Sequence, residues 1–437
     1  MAPSPYSHPM AQTTPLVHRE TGAEVPGFRT VPRTGVIYVM HRAEELGFGT
    51  HRELWSNLGQ GAPECGALPG APPRREQILL PPSHHEYAPI GGILALRERV
   101  AELYNAIYRR GKRSQYTAEN VSIAPGGRAA MTRLAAALGE INMGHFLPDY
   151  TAYEELLGSF KGFVPIPILV GARSDYRISV DELRRELVGR GLAALLFSNP
   201  CNPTGQLVEG EELRQWVELA RECRSTLILD EFYSHYVYTG ADPADAKMVS
   251  AADYIDDVDR DPILIVDGLT KNWRYPGWRI SWTLGPRDVI AQATSAGSYL
   301  DGGANHPFQR EALDLLDPDF ARQETRAIQT EFRVKREYML GRLRELGVEI
   351  DVEPQGAFYV WGNLRGLPAP LDDGMRFFEA GLEERVITVP GTFFDVNPGK
   401  RRAHSRYESY SRYSFGPSLA ELERGLDAVG RLVARHR

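Results

Sequence analysis

Between about Glu86 and Trp282, short apolar runs alternate with stretches of helical periodicity, and this alternation constrains the fold more than any other feature of the chain. Val121-Ser122-Ile123-Ala124 leads through Pro125-Gly126-Gly127 into an alanine-rich stretch, Arg128 to Leu138. Leu192-Ala193-Ala194-Leu195-Leu196-Phe197 is followed by Ser198-Asn199-Pro200 and a helical pattern from Glu211 to Arg224. Thr226-Leu227-Ile228-Leu229 ends at Asp230, and Pro262-Ile263-Leu264-Ile265-Val266 runs into Asp267-Gly268-Leu269-Thr270-Lys271. Apolar runs between helical patterns fit buried strands with helices on both faces of a largely parallel sheet. The expected class is α/β.

Beyond about Pro318 the pattern changes. A long amphipathic stretch covers Arg322 to Leu346, and two strand candidates follow, 348–352 and 357–361, separated by Pro354-Gln355-Gly356. Leu419 to Arg435 is again amphipathic. This reads as a second, smaller α+β domain, packed with the segment from about Thr30 to Pro63. The chain has 437 residues, room for two or three domains. The expected division is a flexible arm over 1–29, an N-terminal part of the small domain and active-site lid over 30–63, a large ligand-binding domain over 64–320 and a small C-terminal domain over 321–437.

A net charge of −7 argues against nucleic acid or an acidic membrane surface as partner. The three cysteines, Cys65, Cys201 and Cys223, lack metal spacing and form no even framework, so no metal site is expected and a reducing compartment is the simplest setting. Met1 to Pro15 is rich in Pro, Ser and Thr without an apolar stretch, which is neither a signal peptide nor a membrane span. The expected location is the cytoplasm. The only lysines are Lys112, Lys161, Lys247, Lys271, Lys335 and Lys400, which leaves few candidates for a lysine that does chemistry.

In an open α/β sheet, ligands bind outside the carboxyl ends of the strands, and the chemistry-bearing residues of this chain fall at such ends. Gly126, Gly127 and Arg128 open a helix after a strand, where free N–H groups and the helix dipole suit a phosphate. Arg279 adds a planar cation able to hold phosphate with two bonds. Asp230 ends an apolar strand, where a carboxylate is costly unless paired; opposite a pyridine nitrogen it would keep that nitrogen protonated. Tyr233 and the amide of Asn202 could bond the phenolic oxygen of such a ring, and Tyr150 could stack on its face. Lys271 follows a buried strand near Arg279, and both burial and a neighbouring cation favour its neutral, nucleophilic form. Taken singly, each also fits an ordinary role: a tight turn, a cap, a core tyrosine, a surface lysine. Together they can hold one ligand, pyridoxal 5'-phosphate.

This set of residues, over about 55–430, resembles the aspartate-aminotransferase superfamily of pyridoxal-phosphate enzymes (fold type I, class I/II aminotransferases). The resemblance implies a three-layer, mostly parallel seven-stranded sheet with a smaller α+β domain. It implies that Lys271 carries the internal aldimine, Arg279 and the Gly126-Gly127-Arg128 turn hold the phosphate, and Asp230 faces the pyridinium. Tyr233 and Asn202 match the residues on the ring hydroxyl, and Tyr150 the stacking aromatic. Glu86-Tyr87-Ala88-Pro89-Ile90-Gly91-Gly92 is similar to the segment whose tyrosine reaches the phosphate of the neighbouring subunit, which implies a homodimer with shared sites and Tyr87 acting in trans. Ser411-Arg412-Tyr413-Ser414-Phe415 is similar to the strand whose arginine clamps the substrate α-carboxylate, and Leu58-Gly59-Gln60-Gly61-Ala62-Pro63 to the loop over the substrate; Arg412 and Gly59 are thus the expected substrate-binding residues. Two departures stand out. Gly268 takes the place of the usual serine three before the lysine, with Thr270 able to supply a hydroxyl instead, and residues Thr30 to Trp55 do not follow the family pattern.

The implied activity is transamination of an α-amino acid with a keto acid. The alternatives on the same cofactor are elimination or replacement at the β or γ carbon (S-adenosylmethionine included), cyclisation and oxidation. The loop Tyr299-Leu300-Asp301-Gly302-Gly303-Ala304-Asn305-His306 offers no arginine for a distal carboxylate, which disfavours a dedicated aspartate or glutamate enzyme. A non-catalytic sensor is disfavoured by the retained Lys271 and Asp230.

Overall fold

The computed structural model describes residues 33–240 and 242–437; the arm expected over 1–29 lies outside the described residues. Twelve strands form among these residues. β1 (Ser56–Asn57) precedes β2 (Val121–Ala124), β3 (Asn142–Leu147), β4 (Val164–Leu169), β5 (Leu192–Ser198), β6 (Thr226–Asp230), β7 (Ile263–Gly268) and β8 (Ser281–Leu284). β9 (Tyr359–Asn363), β10 (Val386–Ile387), β11 (Val389–Pro390) and β12 (Tyr410–Ser414) follow.

Strands β2 to β8 make one seven-stranded sheet in the order β2-β8-β7-β6-β5-β3-β4, in which β8 runs antiparallel to both neighbours and the other pairings are parallel. Alternation along each strand builds two cores. Leu196, Ile228, Leu264 and Val266 face the helix Gly127–Ala137, while Leu195, Phe197, Leu229 and Ile265 face the helix Gly210–Cys223. The sheet is thus covered on both sides, as parallel sheets require. Parallel register also aligns carboxyl ends: Ser198 sits opposite Asp230, and Asp230 opposite Val266. Period-2 alternation turns Asp230 to the same face as Ile228, under the helices Gly127–Ala137 and Ala152–Ser159.

A second, antiparallel sheet of order β11-β12-β9 packs with the 29-residue helix Pro318–Leu346 and the C-terminal helix Leu419–His436. The N-terminal helix Gly35–Glu45 joins this part: Tyr38 packs on Phe378 and Phe393, and Arg42 pairs with Glu379. β1 pairs in parallel with β10. The strand expected over 348–352 does not form; only Glu349 makes an isolated bridge, to Asn363. Its neighbour Asp351 instead accepts hydrogen bonds from the hydroxyls of Tyr176 and Tyr410, at 2.9 and 2.8 Å, which draws the segment away from a ladder. No helix among the described residues is long and apolar enough to cross a membrane.

Candidate active site

At the carboxyl end of β6, the Asp230 carboxylate is buried and takes a 2.8 Å hydrogen bond from the Tyr153 hydroxyl. Burial pushes its pKa up to about 6, with the Tyr153 bond and nearby Lys271 pulling the other way. A buried carboxylate whose only side-chain donor is one phenol is poised to gain a cationic N–H partner. Asp149, also buried, organises the neighbouring turn: it accepts from the Tyr150 amide at 2.7 Å and from the Ser198 hydroxyl at 2.5 Å. Ser198 Oγ in turn accepts from the Asn202 amide at 3.1 Å, so one chain of bonds fixes both Tyr150 and Asn202.

Lys271 follows β7 by three residues, at the end of a turn held by Tyr236, whose hydroxyl donates to the Lys271 carbonyl at 3.0 Å. Its Nζ donates to the carbonyl of Gly61. Burial, then the charges of Arg412 and Arg279, bring the amine down to about 7, against a raising effect from Asp230. A pKa near neutrality makes the unprotonated amine more accessible than for an ordinary lysine.

The outer rim is cationic. Gly126, at φ +95°, allows so close an approach that a Cβ there would lie 1.9 Å from Arg279 Nη2, and a Cβ on Gly127 would strike the Phe232 ring at 2.5 Å. Arg279 itself sits at φ +55° and, among the described residues, bonds only the Pro276 carbonyl, at 3.2 Å. Arg128 points to the Tyr150 hydroxyl at 3.3 Å. Burial and the Arg128 charge lower the Arg279 pKa, and among the described residues neither arginine has a carboxylate partner. Two guanidinium groups without a carboxylate partner beside a helix N-terminus suit an anion. Thr270 Oγ1 is buried without a hydrogen-bond partner. The Gly268 departure has a steric cause: a Cβ there would lie 2.6 Å from the Ile280 carbonyl oxygen and 2.7 Å from Ser281 Cα, so the paired strand β8 leaves no room for a side chain.

On the other side, Arg412 of β12 is 1% exposed yet has no carboxylate partner among the described residues. It donates to Asn202 Oδ1 at 2.8 Å and to the Gly59 carbonyl at 2.6 Å, while its Nε bonds nothing. An uncompensated buried cation of this kind calls for an anion. Its guanidinium lies 4.2 Å from the centre of the Tyr359 ring, and the Tyr359 hydroxyl is 2.8 Å from that of Tyr233. Gly59 is tightly packed: a Cβ there would lie 3.1 Å from Ile387 Cγ2 and 3.2 Å from the Thr388 carbonyl carbon.

Contacts and electrostatic neighbours bring the expected residues Lys271, Asp230, Asn202, Tyr233, Arg279, Gly126, Gly127, Arg128, Tyr150, Gly59 and Arg412 around one site, and Thr270 stands beside Lys271 in sequence with its buried hydroxyl unpartnered among the described residues. Tyr87 stands apart, 99% exposed on the chain taken alone. Sequence reasoning missed Tyr153 and Tyr359. The spacing Tyr150-x-x-Tyr153 was a usable signal, because residues three apart share a face of a helical turn.

The family model described as Aminotransferase class I and II matches residues 55–429. The chain belongs to this family. Among its relatives are the aspartate aminotransferase of Streptomyces avermitilis, 27% identical over 362 residues (81% of this chain, 83% of that one), and that of Thermotoga maritima, 28% identical over 380 residues (85% and 90%). Among solved structures, the aspartate aminotransferase of Thermus thermophilus with maleate superposes with a TM-score of 0.74 at 25% identity, covering 93% of this chain and all of that one. The enzyme is a pyridoxal-phosphate-dependent aminotransferase acting on an amino acid. The residues present fit that cofactor: the Gly126 cradle against Arg279 and the Thr270 hydroxyl, unpartnered among the described residues, suit a phosphate, and the buried Asp230, bonded by Tyr153 and the Phe232 amide, has room for a cationic N–H.

Proposed function

We propose that Lys271 is the amine that holds the cofactor through its aldehyde and then carries the substrate's proton. The observation that carries this reading is a half-buried lysine at the end of β7 whose amine donates to the Gly61 carbonyl, with its pKa brought down to about 7 by desolvation and by the Arg412 and Arg279 charges. Asp230 would hold the pyridine N–H, Tyr233 and Asn202 the ring oxygen, Tyr150 the ring face. Arg279, Thr270 and the amides opening at Gly126-Gly127-Arg128 would hold the phosphate. The bound cofactor supplies an electron sink for the carbanion at the substrate's α-carbon.

Arg412 orients the substrate: its fork takes the α-carboxylate, exchanging neutral acceptors for a charged one. Lys271 Nζ, its pKa brought down to about 7, would then take the α-proton and redeliver it, acting in turn as general base and general acid. Arg412 is buried and Lys271 half-buried, which limits the water that could compete for the proton. The loop at Gly59 and Gly61 closes the site over Lys271, its Gly61 carbonyl receiving the amine.

The substrate we favour is an amino acid with one carboxylate. Relatives bear the name aspartate aminotransferase, but the loop Tyr299 to His306 brings no arginine here. We further propose a homodimer with Tyr87 reaching the partner's phosphate site. Leu79, Tyr87 and Tyr299 are 75, 99 and 71% exposed, which is costly for apolar surface facing water. Three free cysteines support a cytoplasmic setting, and the two sheets support a large unit over 64–320 beside a small one over 321–437 with 30–63.

Incubating the loaded enzyme with a panel of amino and keto acids, read by mass spectrometry, tests this. Keto acid and aminated product from a monocarboxylate substrate support transamination. Ammonia, methylthioadenosine or peroxide without aminated product would replace it with elimination, replacement or oxidation.

A further inference from the structure

Two hydrogen bonds join the two sheets within the site, that of Arg412 to Asn202 and one between two phenols. Tyr233 follows β6 of the seven-stranded sheet, and Tyr359 opens β9 of the three-stranded one; their hydroxyls lie 2.8 Å apart, and both side chains are buried. The Tyr359 ring lies under the Arg412 guanidinium at 4.2 Å, and a Cβ on Gly61 would sit 3.3 Å from its hydroxyl. Tyr359 thus touches the carboxylate clamp, the loop over Lys271 and the ring-oxygen donor together.

A phenol has one proton to donate. If Tyr233 gives its proton to the cofactor's ring oxygen, the Tyr233–Tyr359 bond has to be donated by Tyr359. The order is then Tyr359 to Tyr233 to ring oxygen, and each donor in such a row strengthens the next. We propose that Tyr359 is a positioning residue which fixes the direction of the Tyr233 hydroxyl and so sets how strongly the cofactor's ring oxygen is held. This rests on the cofactor assignment above and adds to it a residue of the small sheet that no cofactor contact requires. Burial keeps the Tyr359 hydroxyl protonated, its pKa pushed up to about 12 although the Arg412 charge and the Tyr233 bond lower it. The donor is therefore present throughout the working range.

Tyr359→Phe removes the hydroxyl alone and leaves the ring under Arg412. The readout is the pH titration of the bound cofactor's visible absorption band, with cofactor affinity measured alongside. A donor to the ring oxygen stabilises the form that has lost the neighbouring proton, so losing the donor raises the apparent pKa. The expected rise in Tyr359→Phe is about half a unit to one unit, smaller than in Tyr233→Phe. In the double variant the Tyr359 effect should vanish, because it acts through Tyr233. An unmoved titration in Tyr359→Phe, or shifts that add in the double variant, overturns the proposal. If Tyr359→Phe does not fold, the comparison is made with Tyr359→Met, where the same non-additivity is required. Absence of any visible band in the wild-type protein after adding pyridoxal phosphate would instead overturn the cofactor assignment itself.

Discussion

The base of the site and its rim solve opposite electrostatic problems. At the base, Asp230 and Arg412 are buried, each of one sign and neither met by a full counter-charge. At the rim, Arg128 and Arg279 are exposed and of like sign. Burial moves the base: Asp230 rises to about 6 and Lys271 falls to about 7, so both change protonation near neutral pH. The rim keeps its charge and holds it ready for an anion. The contrast separates reactivity, which needs desolvation, from anchoring, which needs only fixed positive charge.

The largest effect that tests this contrast is expected at the base. Asp230→Ala should lower kcat/KM by about 10²- to 10⁴-fold, since the partner of a buried cationic N–H is lost; the loss should barely change between low and high salt. A steady-state series over ionic strength measures both. A loss under tenfold would place the ring nitrogen's partner elsewhere.

Arg279→Ala acts at the rim and should weaken cofactor affinity by about 10- to 100-fold, the range for one charge-assisted pair. Here the wild-type affinity should fall with added salt and the variant's should fall less, because exposed charges are screened. Fluorescence titration of the apoprotein reads the difference. Equal salt slopes in both proteins would erase the distinction between base and rim.

Much of this was legible because each residue's place follows from its own strand. Asp230 and Lys271 lie at the ends of apolar runs, and parallel alignment brings those ends together without any long-range knowledge. Tyr153 and Tyr359 were hidden for a converse reason. Tyr153 meets Asp230 across 77 residues, and Tyr359 meets Tyr233 across 126, between two sheets whose relative placement no local pattern encodes. The strand expected at 348–352 failed because tertiary partners for Asp351 outweighed β propensity. Gly268 read as a lost hydroxyl, whereas the cause is the close passage of Ser281 on the neighbouring strand.

A smaller effect sharpens the account of the base. Tyr153→Phe removes the donor on Asp230, and a net hydrogen bond of about 1 kcal/mol corresponds to roughly fivefold in cofactor affinity. The carboxylate without that donor should titrate higher, since the bond is one of the influences holding it down. Isotope-edited infrared spectroscopy of the apoprotein would follow the Asp230 carboxyl; a downward shift would contradict the assigned direction.

The central claim is that Lys271 is the covalent anchor. Loading the protein with pyridoxal phosphate, reducing with borohydride and mapping the peptides tests it directly. A single reduced adduct on Lys271 is expected, absent in Lys271→Ala. Its rate of formation from apoprotein should rise with pH up to about 7 and level off above, because the protonated amine below that pH has no lone pair to attack with. An adduct on Lys335 or any other lysine, or one that survives in Lys271→Ala, would contradict the account.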